Sequence, residues 1–162
     1  MRTTEMVVRE ALWPYALEVY GRPGVEALLL ELQDDHGQCA PFLLWSLWMA
    51  ASGRAADAAG VRHAAELARS WQDAAIAPLR RLRRDLKTAE APGAAAPRER
   101  LRTGVKSLEL EAERMLLQML ESASPPPGET PRKALPALAD AVRAWGGEAP
   151  TAALEQLAEL AA

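Results

Sequence analysis

Apolar residues along this chain recur every three or four positions, the spacing that gathers one face of an α-helix into a buried stripe. Val8, Leu12, Tyr15 and Val19 form the first stripe, on a helix that Thr3 or Thr4 would cap, with Pro14 marking a kink or a late start and Gly21 an end. Pro23 suits the first turn of a second helix, whose face is Val25, Leu28, Leu29 and Leu32, with Gly37 as the stop. Pro41 opens a third in the same way. Phe42, Leu44, Trp45, Leu47, Trp48 and Met49 leave it almost no polar side, so it should be the most enclosed helix, ending at Gly53.

A long helix is expected from about Ala55 or Asp57 to Lys87, with Val61, Ala64, Ala68, Trp71, Ala75, Leu79, Leu82 and Leu86 on one face. Pro78 should bend it or divide it. Residues 88–97 form a breaker-rich linker, and the next helix runs from about Pro97 to Ser122. There Leu101, Val105, Leu108, Ala112, Met115 and Met119 read as one packing seam in heptad steps. The two long helices should form an antiparallel hairpin. Ser124-Pro125-Pro126-Pro127-Gly128 marks a boundary, followed by short helices near Thr130–Trp145 and Thr151–Leu160, with Trp145 as the anchor if they dock. The expected architecture is all-α: a compact helical bundle of about five helices including the hairpin over residues 1–122, then a Pro-led, Ala-rich helical tail over 123–162, docked or partly disordered.

Composition agrees with helices. Alanine, leucine, arginine and glutamate dominate, all good helix formers, and only 5% of residues are aromatic. A net charge of −3 argues against bulk attraction to nucleic acid or anionic membrane. The charge is unevenly spread: residues 1–40 carry three basic and seven acidic groups, whereas 41–122 carry thirteen basic and ten acidic. The longest apolar run, Cys39 to Ala51, is thirteen residues, against the roughly twenty that a bilayer span needs. A single cysteine and no early basic-then-apolar leader suit a cytoplasmic protein.

Several motifs fall in a recognisable order. They are Leu12-Trp13, Tyr20 with Pro23-Gly24-Val25, Leu32-Gln33-Asp34 with Gly37, and the block Leu43-Leu44-Trp45 to Trp48. Further on come Trp71 with Pro78-Leu79-Arg80 and Leu82-Arg83-Arg84, then Glu111-Ala112-Glu113-Arg114. Over roughly residues 8–120 this order resembles an uncharacterised, mostly proteobacterial family, although Pro41 stands where that family tends to carry Asn. The resemblance implies a bacterial all-helical protein of unknown function and no particular chemistry.

Two polar clusters are candidate sites. Gln33, Asp34, Asp35 and His36 concentrate carboxylates, an amide and an imidazole at a helix end, with His63 and Glu66 as distant contributors to a metal or acid–base site. The simpler reading is a turn, with Asp34 bonded to loop backbone and Gly37 at positive φ. Arg80, Arg81, Arg83, Arg84 and Lys87 gather five cations in eight residues, and the hairpin would bring Arg98, Arg100, Arg102 and Lys106 to the same end. With Arg80, Arg83, Arg84 and Lys87 facing outward, that end would hold a phosphate or an acidic partner. The simpler readings are helix-dipole compensation and pairing with glutamates of neighbouring helices. Trp13, Trp45, Trp48 and Trp71 would line a pocket or simply fill the core. Cys39 has only His36 nearby as a base, which falls short of a catalytic dyad.

No catalytic residue, metal set or cofactor motif emerges. The leading expectation is a non-enzymatic interaction or adaptor module that binds a protein partner or itself. The alternatives are a small enzyme or metal-binding protein around Asp34, Asp35 and His36, and anion or nucleic-acid binding through Arg80–Lys87. No membrane association is expected.

Overall fold

A computed structural model describes residues 11–89 and 94–162, and among these every regular element is helical. The expected start at Thr3 or Thr4, the place of Val8 and the middle of the 88–97 linker lie outside the described residues. The helices are α1 (Leu12–Tyr20), α2 (Val25–Asp34), α3 (Ala40–Ala51) and α4 (Ala58–Trp71), then a π-helical turn (Gln72–Ile76) leading into α5 (Ala77–Thr88). After them come α6 (Ala95–Ser122), α7 (Ala134–Trp145) and α8 (Thr151–Leu160). The expected count of about five therefore holds only in its all-helical class.

The helix starts follow from local chemistry. Asp57 caps α4 by accepting the Gly60 N–H at 2.7 Å. The sequence offers α1 no cap of its own, and Glu121 from the far end of α6 accepts the Leu12 N–H at 3.1 Å instead. Pro14 lies in the first turn of α1, where its missing N–H costs nothing and no kink is needed. Pro23 does not open α2 as expected. Gly24 takes φ +87°, a left-handed conformation that breaks the helical run, so α2 begins only at Val25.

At the centre lies α3, buried from Pro41 to Ala50 on all sides. Helices α1, α2, α6 and α7 pack around it. Phe42 stacks on Trp45 with ring centres 5.1 Å apart and meets Trp145 of α7 at 5.8 Å. Trp145 also donates its indole N–H to the Gly37 carbonyl at 2.9 Å. Leu138 and Ala141 of α7 are fully buried, and α8 closes over α7 and α2 through Leu154 and Leu157.

The long helix expected from about residue 55 to 87 is interrupted. Pro78 cannot donate to a carbonyl four residues back, and its ring crowds that carbonyl. The chain widens just before it: the Ala77 N–H reaches the Gln72 carbonyl, five residues back, which is the π-helical bond. Beyond the turn, α5 and α6 run side by side in opposite directions. Arg80 meets Glu109 and Glu113, and Arg98 near the start of α6 donates to the Ala89 carbonyl.

The Pro-rich segment after α6 is tied to the α3–α4 loop. The Gly128 N–H donates to the Ser52 carbonyl at 3.1 Å and the Arg132 N–H to the Ala50 carbonyl at 2.7 Å, while Arg54 donates to the Pro125 carbonyl. The two segments cross at Gly53 and Gly128, where a Cβ on either glycine would overlap backbone of the other segment. Overpacking against immovable backbone should cost about 2 kcal/mol. Gly128→Ala is thus expected to lower the urea-unfolding midpoint by the corresponding amount without changing the slope.

Candidate functional site

The strongest polar arrangement in the protein is internal, between α5 and α6. Arg80 and Glu109 fall at core positions of their helices and are 9% and 7% exposed. The Arg80 Nε donates to Glu109 Oε1 at 2.9 Å, and its Nη2 donates to Glu113 Oε1 at 3.2 Å. The other oxygen of Glu109 accepts the Arg83 Nε at 2.6 Å. One carboxylate thus bridges two guanidiniums, and one guanidinium bridges two carboxylates a helical turn apart. Arg80 and Arg83 face inward rather than sharing the outward face expected for Arg80, Arg83, Arg84 and Lys87.

The two carboxyls are driven apart electrostatically. Burial pushes Glu109 up, but hydrogen bonds and charge from Arg83 and Arg80 outweigh it and hold its pKa below the usual carboxylate value. For Glu113 burial wins over the single Arg80 contact, with Glu109 adding repulsion, and its pKa is raised. Nearby, burial and the Glu26 carboxylate, which accepts the phenol at 3.3 Å, push Tyr20 up to about 12. Burial pushes the Cys39 thiol up to about 12 as well.

The outer part of the basic cluster is placed differently. Arg84 reaches across 50 residues of sequence to Asp34, at 2.8 Å, so one member of each candidate cluster is brought together. That pair is exposed, and such pairs contribute about 0–1 kcal/mol. Lys87 is exposed, Arg102 pairs with Glu99 one turn away, and Arg98 is engaged by the Ala89 carbonyl. Gln33 donates to Asp34, Asp35 is exposed, and the His36 carbonyl, not its imidazole, accepts from buried Gln38. His63 and Glu66 are exposed on α4. Among the described residues no group of three His, Cys, Asp or Glu is arranged to hold a metal ion.

Cys39 donates its thiol to the Gln72 side-chain oxygen at 3.9 Å, in the π-helical turn. Of the tryptophans, Trp48 is sealed in the core, Trp71 donates to the Ala112 carbonyl at 2.8 Å, and Trp13 lies under Arg114. Sequence reasoning missed Glu109 altogether. The signal was its phase: it falls in step with Val105, Ala112, Leu116 and Leu120, all buried on α6.

These features define a helical bundle whose densest charge cluster is satisfied within the fold. The family described as "Protein of unknown function (DUF2390)" matches residues 11–120, and the chain belongs to that family. No curated protein and no solved structure matches the chain.

Two outcomes follow from this geometry. Removing the charge of Glu109 leaves Arg83 without a carboxylate and buried Arg80 with Glu113 alone, and breaking a buried pair typically costs about 3 kcal/mol. Glu109→Gln should lower stability by that order at pH 7. Glu113→Gln should be within about 0.5 kcal/mol of the parent, or more stable, because the ionised form is already disfavoured there. The pH signs are opposite. The contribution of Glu109, with its lowered pKa, is present above the ordinary carboxylate value and is lost as pH falls through the lowered one. The contribution of Glu113, with its raised pKa, is present below the ordinary value and is lost as pH rises through the raised one. Denaturant titrations of both variants from pH 3 to 8 read these signs directly. Cys39, 1% exposed with its pKa near 12, should react with a thiol reagent at pH 8 at least about a thousandfold more slowly in the folded than the unfolded protein.

Proposed function

We propose that this protein is a non-enzymatic helical interaction module of the bacterial cytoplasm, and that it binds a second copy of itself through the open side of α6. The observation that carries this reading is the exposure of Leu101, Leu108 and Met115, at 56%, 58% and 42%. These three are seven residues apart and line up along α6 over ~21 Å. Val105 and Ala112, on the same expected seam, are buried. Half of the seam is thus turned outward and has no cover among the described residues. Leu82, 45% exposed, adds to the apolar surface of the paired helices.

Gly104 lies between Leu101 and Leu108 on this ridge. Among the described residues nothing lies within 4 Å of where its Cβ would be, so packing among them gives no reason for a glycine. In a helix interior it costs about 0.5–1 kcal/mol relative to alanine. A notch flanked by two leucines suits the leucine of an identical ridge, as knobs fit holes between paired helices. No helix among the described residues is long and apolar enough to cross a membrane, so the ridge is not part of a membrane span.

Nucleic-acid or anion binding through Arg80–Lys87 is the weaker reading, since Arg80 and Arg83 are spent on Glu109 and Glu113. A metal or enzymatic site at Asp34–His36 has less support still, with Asp34 held by Arg84. Sedimentation velocity across a concentration series tests the proposal. The parent chain should dimerise, and the Leu101→Gln/Leu108→Gln double variant, with unchanged helical circular dichroism, should weaken the dimer by about thirtyfold or more. A parent that stays monomeric at high micromolar concentration would remove the proposal.

A further inference from the structure

A cleft of about 250 Å³ opens between α3, the start of α4 and the start of α7, well away from the α6 ridge in sequence. Its lining is largely apolar: Val61 of α4 and Pro136 and Ala137 of α7 are open to it, together with the edges of buried Trp45 and Met49 of α3. Its rim is cationic: Arg54, Arg132 and Lys133 all line it. The volume equals about eight molecules of liquid water, the scale of a medium-chain or aryl-alkyl acid.

The cations are held where they are by backbone. The Gly53–Gly128 crossing fixes the segment that leads into α7, and the Arg132 N–H is anchored on the Ala50 carbonyl at 2.7 Å. Arg54 lies over the Trp48 ring at 4.2 Å and donates to the Pro125 carbonyl. Among the described residues the Arg132 guanidinium makes only a long hydrogen bond, 3.4 Å, to the Arg54 carbonyl. Neither Arg132 nor Lys133 forms an ion pair among the described residues. The one carboxylate on the wall, Asp140, is already paired with Arg143 at 2.9 Å.

The position of these charges is unfavourable without a counter-ion. Lys133 is the N-cap of α7, with no side-chain cap and no acidic residue in the first turn. The positive end of the helix dipole therefore adds to the positive side chains, where a negative group would be favoured by both. An inorganic anion would satisfy the rim but leave the apolar lining of Val61, Pro136 and Ala137 against water. An uncharged apolar molecule would do the reverse. Recognition sites of this size combine an apolar body with a few placed polar groups.

From this cleft we infer a binding site for a small amphiphilic carboxylate, its apolar body over Val61, Pro136 and Ala137 and its carboxylate between Arg132 and Lys133. The site is independent of self-association, since neither cation lies on α6.

Isothermal titration of the full chain with octanoate, 1-octanol and inorganic phosphate is the test. Octanoate should bind with a dissociation constant below about 1 mM, and octanol and phosphate at least tenfold more weakly. The Arg132→Gln/Lys133→Gln variant changes two exposed side chains and keeps the backbone anchor. It should lose octanoate affinity at least tenfold, and Ala137→Phe, which fills the cleft from α7, should do the same. No octanoate binding to the parent at millimolar concentration would overturn the assignment. So would phosphate binding as tightly as octanoate, octanol binding as tightly, or unchanged affinity in the double variant.

Discussion

A helix with no polar side has to be covered on every side, and the rest of this structure follows from that demand. From Pro41 to Ala50, α3 presents apolar or small side chains all round, and each is buried. Burying a large side chain such as Trp48 or Phe42 stabilises the fold by about 1.5–3 kcal/mol. The reward is collected only if α1, α2, α6 and α7 all close over the same helix. The chain supplies those covers from well-separated parts of its length, and the longest connection, the Pro-rich segment before α7, is held by backbone bonds to the end of α3 itself.

Charge enters the interior where one of these covers, α6, meets α5. Between α5 and α6, Arg80, Arg83, Glu109 and Glu113 take places that leucines would otherwise fill. Two buried charges gain little net stability over a well-packed apolar pair, because desolvation offsets their attraction. They do impose geometry. A guanidinium shared between carboxylates at 109 and 113, beside a carboxylate shared between guanidiniums at 80 and 83, is satisfied in one register only. A shift of one turn along α6 would leave a charge buried and unpaired. Leucine seams tolerate such slippage. The polar cluster therefore fixes the alignment of the two helices, and the π-helical turn before Pro78 sets the rotation at which Arg80 arrives.

This explains what could be read from the residues and what could not. The enclosure of α3 was legible because its apolar character has no gaps, and the helix ends near Gly37 and Gly53 were legible from residues that accept positive φ. The inner face of α6 was misread. A pattern search counts leucines, so it placed Leu101, Leu108 and Met115 on the seam, whereas the buried face is centred on Glu109, Leu116 and Leu120. A charged residue in a core phase is invisible until its partner is known, and the partner, Arg80, lies 29 residues away on another helix. The interruption near Pro78 was anticipated as a bend, but its form, an added residue in the turn before the proline, depends on how Trp71 and Gln72 are held by α6 and Cys39. The meeting of Arg84 with Asp34 belongs to tertiary packing alone.

The same accounting separates surface that is finished from surface that is not. Most cations of the middle segment that drew attention as a cluster have carboxylates or carbonyls within hydrogen-bond reach, so charge density in the sequence translates into internal pairing. Two unmatched surfaces differ in kind: the apolar Leu101–Met115 ridge, and the cationic Arg132–Lys133 rim of the cleft. The family match ends at residue 120, before α7, so it contains the ridge and the floor of the cleft but not its two free cations. The floor is shared with the conditions that enclose α3, where Trp45 has packing reasons to be apolar in any case. The cations have no such reason. Lys133 and Arg132 sit beside the positive end of a helix and form no ion pair among the described residues, so a negative group from solvent would meet both the side chains and the helix end.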